Sequence, residues 1–221
     1  MLATAREWGM DPEELALDLL SQAQLARGPA PAVSRAILIG TSPADLRRLQ
    51  RQLESQIPGL QVAPVLPEEL GPVPPTTPVI ATLFHAPALR DRQPVVLADA
   101  QTREELDRLR HLPPGACVAV VAADRVQAAR IQQSLERGGF GHLGLRAATD
   151  PAELDALLGD SACLLAAPSG LHLAEAARAA RPDLPCIREP LTPPPEALAT
   201  LRQALGGAPV PPRVAVRSSW I

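Results

Sequence analysis

Ile39–Glu54, IGTSPADLRRLQRQLE, lies over Val121–Glu136, VAADRVQAARIQQSLE, at an offset of 82 residues. Apolar positions coincide: Leu49 falls on Ile131 and Leu53 on Leu135. Arg48 falls on Arg130, Gln50 on Gln132 and Glu54 on Glu136. The match continues with growing offsets. Ile80-Ala81-Thr82 lies over Leu164-Leu165-Ala166 and Pro94 over Pro185, as insertions in loops require. Two related halves follow, each a βαβαβαβα-like unit.

Each half reads as strands alternating with helices. Near-continuous apolar runs at Ala36–Gly40, Leu60–Val65, Val79–Phe84 and Val95–Ala98 predict strands in the first half. Cys117–Ala122, Leu143–Ala147, Cys163–Ala167 and Cys186–Arg188 do so in the second. Helical spacing marks Pro43–Gln56, Thr102–Leu112, Arg125–Arg137, Pro151–Leu158, His172–Ala180 and Pro195–Leu205. Apolar strands alternating with helices build parallel sheets covered on both faces. The fold class is therefore α/β, with two small parallel-sheet, Rossmann-like lobes over residues 31–112 and 113–221.

Residues 1–30 stand apart as a helical tail and linker. Asp11 offers an N-cap, Pro12 suits the first helical position and Glu14 stands three residues past the cap. The helix Pro12–Arg27 carries Leu15, Leu19 and Leu20 on one side, a natural dimer or docking face. Gly28-Pro29-Ala30-Pro31-Ala32 ends it. Acidic residues at Glu7, Asp11, Glu13 and Glu14 do not suit a signal peptide. No apolar run approaches the ~20 residues that span a bilayer. At the other end, Val214-Ala215-Val216 suits an edge strand.

Composition narrows the function classes. The chain of 221 residues carries a net charge of −3, and all 21 of its basic residues are Arg. Phosphate neutralisation supplies most nucleic-acid affinity, and this chain lacks a basic balance. Arg47, Arg48 and Arg51 cluster on one helix, which reads as a solvated face. Cys117, Cys163 and Cys186 sit in apolar runs and read as buried free thiols of a reducing, cytoplasmic compartment. No CxxC or Cys/His spacing suggests a metal. GxSxG, GxxxxGK[ST], HExxH and a GxGxxG after the first strand are all missing, so neither a catalytic centre nor a cofactor is expected.

Ligands of open parallel sheets sit beyond the carboxyl ends of the strands. The repeat nominates paired positions there. Gly40-Thr41-Ser42 pairs with Ala122-Ala123-Asp124 and the adjoining Arg125. Phe84-His85 pairs with Pro168-Ser169-Gly170, and Asp99 with Glu189. The candidate ligand set is Thr41, Ser42, Phe84, His85, Asp99, Asp124, Arg125, Ser169, Gly170 and Glu189. Thr41, Ser42 and Asp124 equally suit helix capping. Phe84 equally suits the core, and His85 an ordinary structural histidine.

Ala5–Leu20, AREWGMDPEELALDLL, resembles the tail that follows the winged helix in GntR-type transcription regulators. The matching positions are Gly9, Met10, Glu13, Glu14 and Leu15. Val79–His85, Leu112–Ala128 and Leu164–Gly170 resemble segments of the effector domain some of these regulators carry. That domain is similar to a shortened two-lobed periplasmic-binding fold. The resemblance implies a small-molecule effector between the lobes, a homodimer, and DNA contacts only through a winged helix that this chain does not contain. A stand-alone solute-binding protein or transporter component is the competing expectation.

Overall fold

Backbone hydrogen bonding gives the two expected sheets in the computed structural model, which describes residues 34–205. In the first lobe β1 (Ser34–Ile39), β2 (Leu60–Val65), β3 (Val79–Ala81) and β4 (Val95–Val96) take the order β2-β1-β3-β4. In the second, β5 (Cys117–Val121), β6 (Gly144–Ala148), β7 (Ser161–Ala166) and β8 (Cys186–Arg188) take the order β6-β5-β7-β8. The two orders are the same, and all strands run parallel. The helical tail Pro12–Arg27, with Leu15, Leu19 and Leu20, and the segment from Val214 lie outside the described residues.

Among the described residues five α-helices connect the strands, α1 (Pro43–Gln56), α2 (Ala100–Arg108), α3 (Arg125–Leu135), α4 (Pro151–Leu158) and α5 (Leu171–Ala180), and α6 (Pro195–Leu205) follows β8. None among the described residues is long and apolar enough to cross a membrane. The paired helices α1 and α3 share a local design. Ser42 caps α1 by accepting from the Asp45 N–H, and Asp124 caps α3 by accepting from the Gln127 N–H. Gln50 Nε2 donates to the Val62 carbonyl of β2 at 3.0 Å. Its repeat partner Gln132 Nε2 donates to the Leu145 carbonyl of β6 at 2.9 Å. The aligned glutamines thus do the same task in both lobes, tying a helix to the outer strand.

The halves differ in two ways. Lobe 2 covers its second face with α4 and α5, which bury Leu154, Leu158, Leu173, Ala174 and Ala177 against Ala119, Val121 and Leu164. Lobe 1 carries only 3-10 turns in the corresponding crossovers, Pro67–Glu69 and Ala86–Arg92. Five prolines between Pro67 and Pro78 account for the first of these, because proline removes the donor a helix interior needs.

The lobes also exchange helices. Helix α2 follows β4 of lobe 1, yet its Leu106, with the following Leu109, packs against Val118, Val120, Ile131 and Ile187 of lobe 2. Helix α6 follows β8 of lobe 2, yet Ala197, Leu198 and Leu201 pack against Leu38, Leu46, Ile80 and Val95 of lobe 1. Each full Leu burial contributes about 1.5–3 kcal/mol. The lobes are therefore joined by two core-buried helices as well as by the chain.

Candidate ligand site at the strand ends

Glu189, directly after β8, reaches from lobe 2 into lobe 1. Its Oε2 accepts a hydrogen bond from the Thr41 hydroxyl at 2.8 Å, and its Oε1 accepts from the Phe84 N–H at 3.2 Å. Its backbone N–H donates to the Ala166 carbonyl at 3.0 Å, which fixes the carboxylate relative to β7. Only 5% of the residue is exposed. Burial pushes its pKa above the usual glutamate value, and the nearby Asp45 adds to this. The hydrogen bonds from the Phe84 N–H and the Thr41 hydroxyl work in the opposite direction.

A second polar line crosses the same seam. Arg130 of α3 forms an ion pair with Glu68 of lobe 1 at 2.6 Å, and its other terminal nitrogen lies 3.5 Å from the Thr41 carbonyl. The hydrogen bond from Arg130 holds the Glu68 carboxyl below its usual pKa, against a desolvation penalty. Gln127 Oε1 accepts from the Ser169 hydroxyl at 2.6 Å and from the Ala123 N–H at 2.9 Å. Its Nε2 lies 3.5 Å from Asp45 Oδ2, which also accepts from the Ser42 hydroxyl at 2.7 Å. Asp45 and Gln127 occupy the same position of the repeat, so related residues meet where the lobes meet. Ser42, Asp45, Arg130, Pro168 and Ser169 are half-buried, while Ala123 to Val126 are exposed. The seam therefore opens to solvent along this edge.

His85 lies deeper, at 1% exposure. Its Nδ1 is 2.6 Å from the Ser134 Oγ of α3, and its Nε2 has no hydrogen-bond partner among the described residues. Burial lowers its pKa to about 4. Glu68 pulls it upward and Arg130 pushes it further down. The imidazole is therefore neutral at pH 7. Nearby, the Pro87 ring lies where a side chain at Gly138 would go, and Arg110 stacks 4.0 Å over the Phe140 ring.

Thr41, Phe84 and Glu189 come together directly, and His85 sits in the same seam. Phe84 contributes its N–H, while its ring belongs to the core. Ser169 is held by Gln127. Ser42, Asp99 and Asp124 act as N-caps of α1, α2 and α3. Asp99 is held below its ordinary pKa chiefly by the Thr102 N–H. Arg125 is exposed and pairs with Glu153. Gly170 is a packing position: a Cβ there would stand 2.6 Å from the Val121 carbonyl oxygen. Asp45, Glu68, Gln127, Arg130 and Ser134 are not among the candidate ligand residues of the sequence, which names Arg130 only as the repeat partner of Arg48. The repeat alignment carried a signal for one pair, since it places Asp45 on Gln127.

The seam pairs donors and acceptors of both lobes but leaves His85 Nε2 and Thr82 Oγ1 buried without a partner among the described residues, and the half-buried Asp45 and Arg130 stand at its open edge. Among the described residues no group of three or more His, Cys, Asp or Glu side chains is arranged to hold a metal. Comparison with protein-family models, curated proteins and solved structures gives no match.

Proposed function

We propose that this chain is the small-molecule effector-binding and oligomerisation domain of a transcription regulator whose winged-helix DNA-binding part lies outside it. The observation that supports the reading is the Glu189–Thr41–Phe84 knot flanked by Arg130 and Gln127. These polar groups close two related lobes on each other at the strand ends, where open parallel sheets place their ligands. A polar effector entering there exchanges the inter-lobe bonds of Glu189, Arg130 and Gln127 for bonds to itself. Such a ligand binds one lobe arrangement better than another and shifts the population toward it. Leu15, Leu19 and Leu20 form the dimer face in this reading. Replacing Leu15 and Leu19 by Ser should then abolish self-association in analytical ultracentrifugation.

The second reading, a stand-alone solute-binding protein, draws on the same two-lobed architecture. The DNA immediately upstream of the Met1 codon separates the two. An in-frame winged helix supports the regulator. An in-frame export signal or lipid anchor supports the solute-binding protein and overturns the first reading.

A further inference from the structure

Beside the turn that carries Phe84 and His85, lobe 1 contains a depression of about 420 Å³ between the 3-10 turn Ala86–Arg92, β4 and the exchanged helix α2. It exists because of the asymmetry between the lobes. After β7 the second lobe builds α5 (Leu171–Ala180), whereas the chain after β3 makes only the short turn. None of its lining residues belongs to the Glu189 cluster.

The floor is apolar: Leu83, Pro87, Val96 and Leu106. The rim is charged, but its charges are not equally free. Asp107 is taken by Arg90 at 3.4 Å and by Arg110 at 3.2 Å. Glu104 is taken by Arg108 at 2.8 Å. Arg103 donates through Nε to the Asp99 carbonyl at 3.2 Å, and its two terminal nitrogens make no ion pair or hydrogen bond among the described residues. Arg103 thus presents a half-buried guanidinium fork, without an ion pair among the described residues, at the rim of an apolar basin.

We infer that this basin binds a small amphipathic monoanion, a carboxylate with a short unbranched apolar tail. The carboxylate takes the terminal nitrogens of Arg103, with the planar geometry that guanidinium and carboxylate share. The tail covers Leu83, Val96 and Leu106. The volume falls within the range of small-molecule pockets. Polyanions fit poorly, because the carboxylates of Glu104 and Asp107 share the rim with Arg103. Sugars fit poorly as well, because the lining contains no aromatic, Asn or Gln side chain. Since α2 packs on lobe 2, an occupant bridges the lobe-1 turn and a helix anchored in the other lobe. The inference goes beyond the effector-domain reading and does not require it.

The test titrates the full chain with hexanoate, 1-hexanol and hexylammonium by ligand-observed NMR. Hexanoate is expected to saturate with a Kd on the order of 1 mM, as suits a fragment of its size. It should bind about tenfold more tightly than hexanol. Arg103→Gln should bring hexanoate down to the level of hexanol. Ala100→Leu, at an exposed rim position, should fill the basin and remove both. Circular dichroism and Tm confirm that each variant is folded, and if either is not, Glu104→Arg serves as a second charge test and should strengthen hexanoate binding. Hexanoate failing to saturate, hexylammonium binding as tightly, or affinity indifferent to the Arg103 and Ala100 substitutions overturns the inference. Failure here leaves the seam reading untouched, because no seam residue is altered.

Discussion

Acid should weaken this fold through His85, and the size of the effect follows from its burial. The imidazole is enclosed, keeps one partner in Ser134 and has its pKa lowered to about 4. In the unfolded chain it takes up a proton near its ordinary value of 6.5. Between pH 6.5 and pH 4 the unfolded state therefore binds more protons, and stability falls as pH falls. At ~1.4 kcal/mol per pH unit, lowering the pH from 7 to 5 costs about 2 kcal/mol. Glu189 works in the opposite sense. Its folded pKa is raised, so stability is gained as pH falls through that value toward the unfolded one. Comparing the protein with His85→Asn removes the Glu189 contribution, since both chains contain it. The Asn amide can still meet Ser134 Oγ and does not titrate. Urea unfolding at pH 7 and pH 5 reads the difference. The loss between the two pH values should be about 2 kcal/mol larger with His85 present. Equal losses in the two chains would refute the claim that His85 is buried in its neutral form.

Three further outcomes follow from the seam and the core. Glu189→Ala leaves the Phe84 N–H and the Thr41 hydroxyl without their acceptor and should cost about 2–5 kcal/mol in urea unfolding at pH 7. Glu189→Gln keeps an acceptor and removes a buried charge, so it should stay within about 1 kcal/mol of the unaltered chain. At Gly138 a Cβ would stand 2.3 Å from Pro87 Cβ and 2.9 Å from its carbonyl carbon. Gly138→Ala should therefore cost about 1–3 kcal/mol in urea unfolding at pH 7. Burial pushes the Cys163 thiol up to about 12. A thiol-specific reagent at pH 8 should modify Cys163 only at the rate of unfolding, a result checked by mass spectrometry of quenched samples.

The sheets were legible because their strands are apolar runs punctuated by caps and prolines. The bounds Pro43–Gln56, Pro151–Leu158 and Pro195–Leu205 could be read directly, since each helix opens on a proline that suits its first turn. Val79–Phe84 reads as one strand, yet β3 stops at Ala81. The N–H groups of His85 and Ala86 both turn back to the Thr82 carbonyl, and this bend carries Phe84 and His85 into the seam. Arg125–Arg137 reads as one helix, yet α3 ends at Leu135 and a wider turn follows to Phe140. Gly139 adopts φ 91° there, which a side chain rarely tolerates.

The site was legible only in part. Position beyond a strand end was enough to find Thr41 and Glu189. It also drew in Ser42, Asp99 and Asp124, whose caps serve the helices, because a cap and a ligand contact use the same residue types at the same place. Arg48 and Arg130 are equivalent in the repeat, but only Arg130 reaches the other lobe. The difference lies in its partners, Glu68 and the Thr41 carbonyl, long-range contacts that no local pattern encodes.

Ligand binding at the seam is the claim on which the account rests, and a thermal-shift screen of polar metabolites on the full chain tests it most directly. A ligand present at 100 times its Kd stabilises by about 2.7 kcal/mol, or roughly 5–11 °C in a chain of this size. The account predicts at least one such metabolite, and predicts that Arg130→Ala and Gln127→Leu abolish its shift while leaving the fold intact. A shift of the same size in both variants would place the ligand elsewhere and contradict the account.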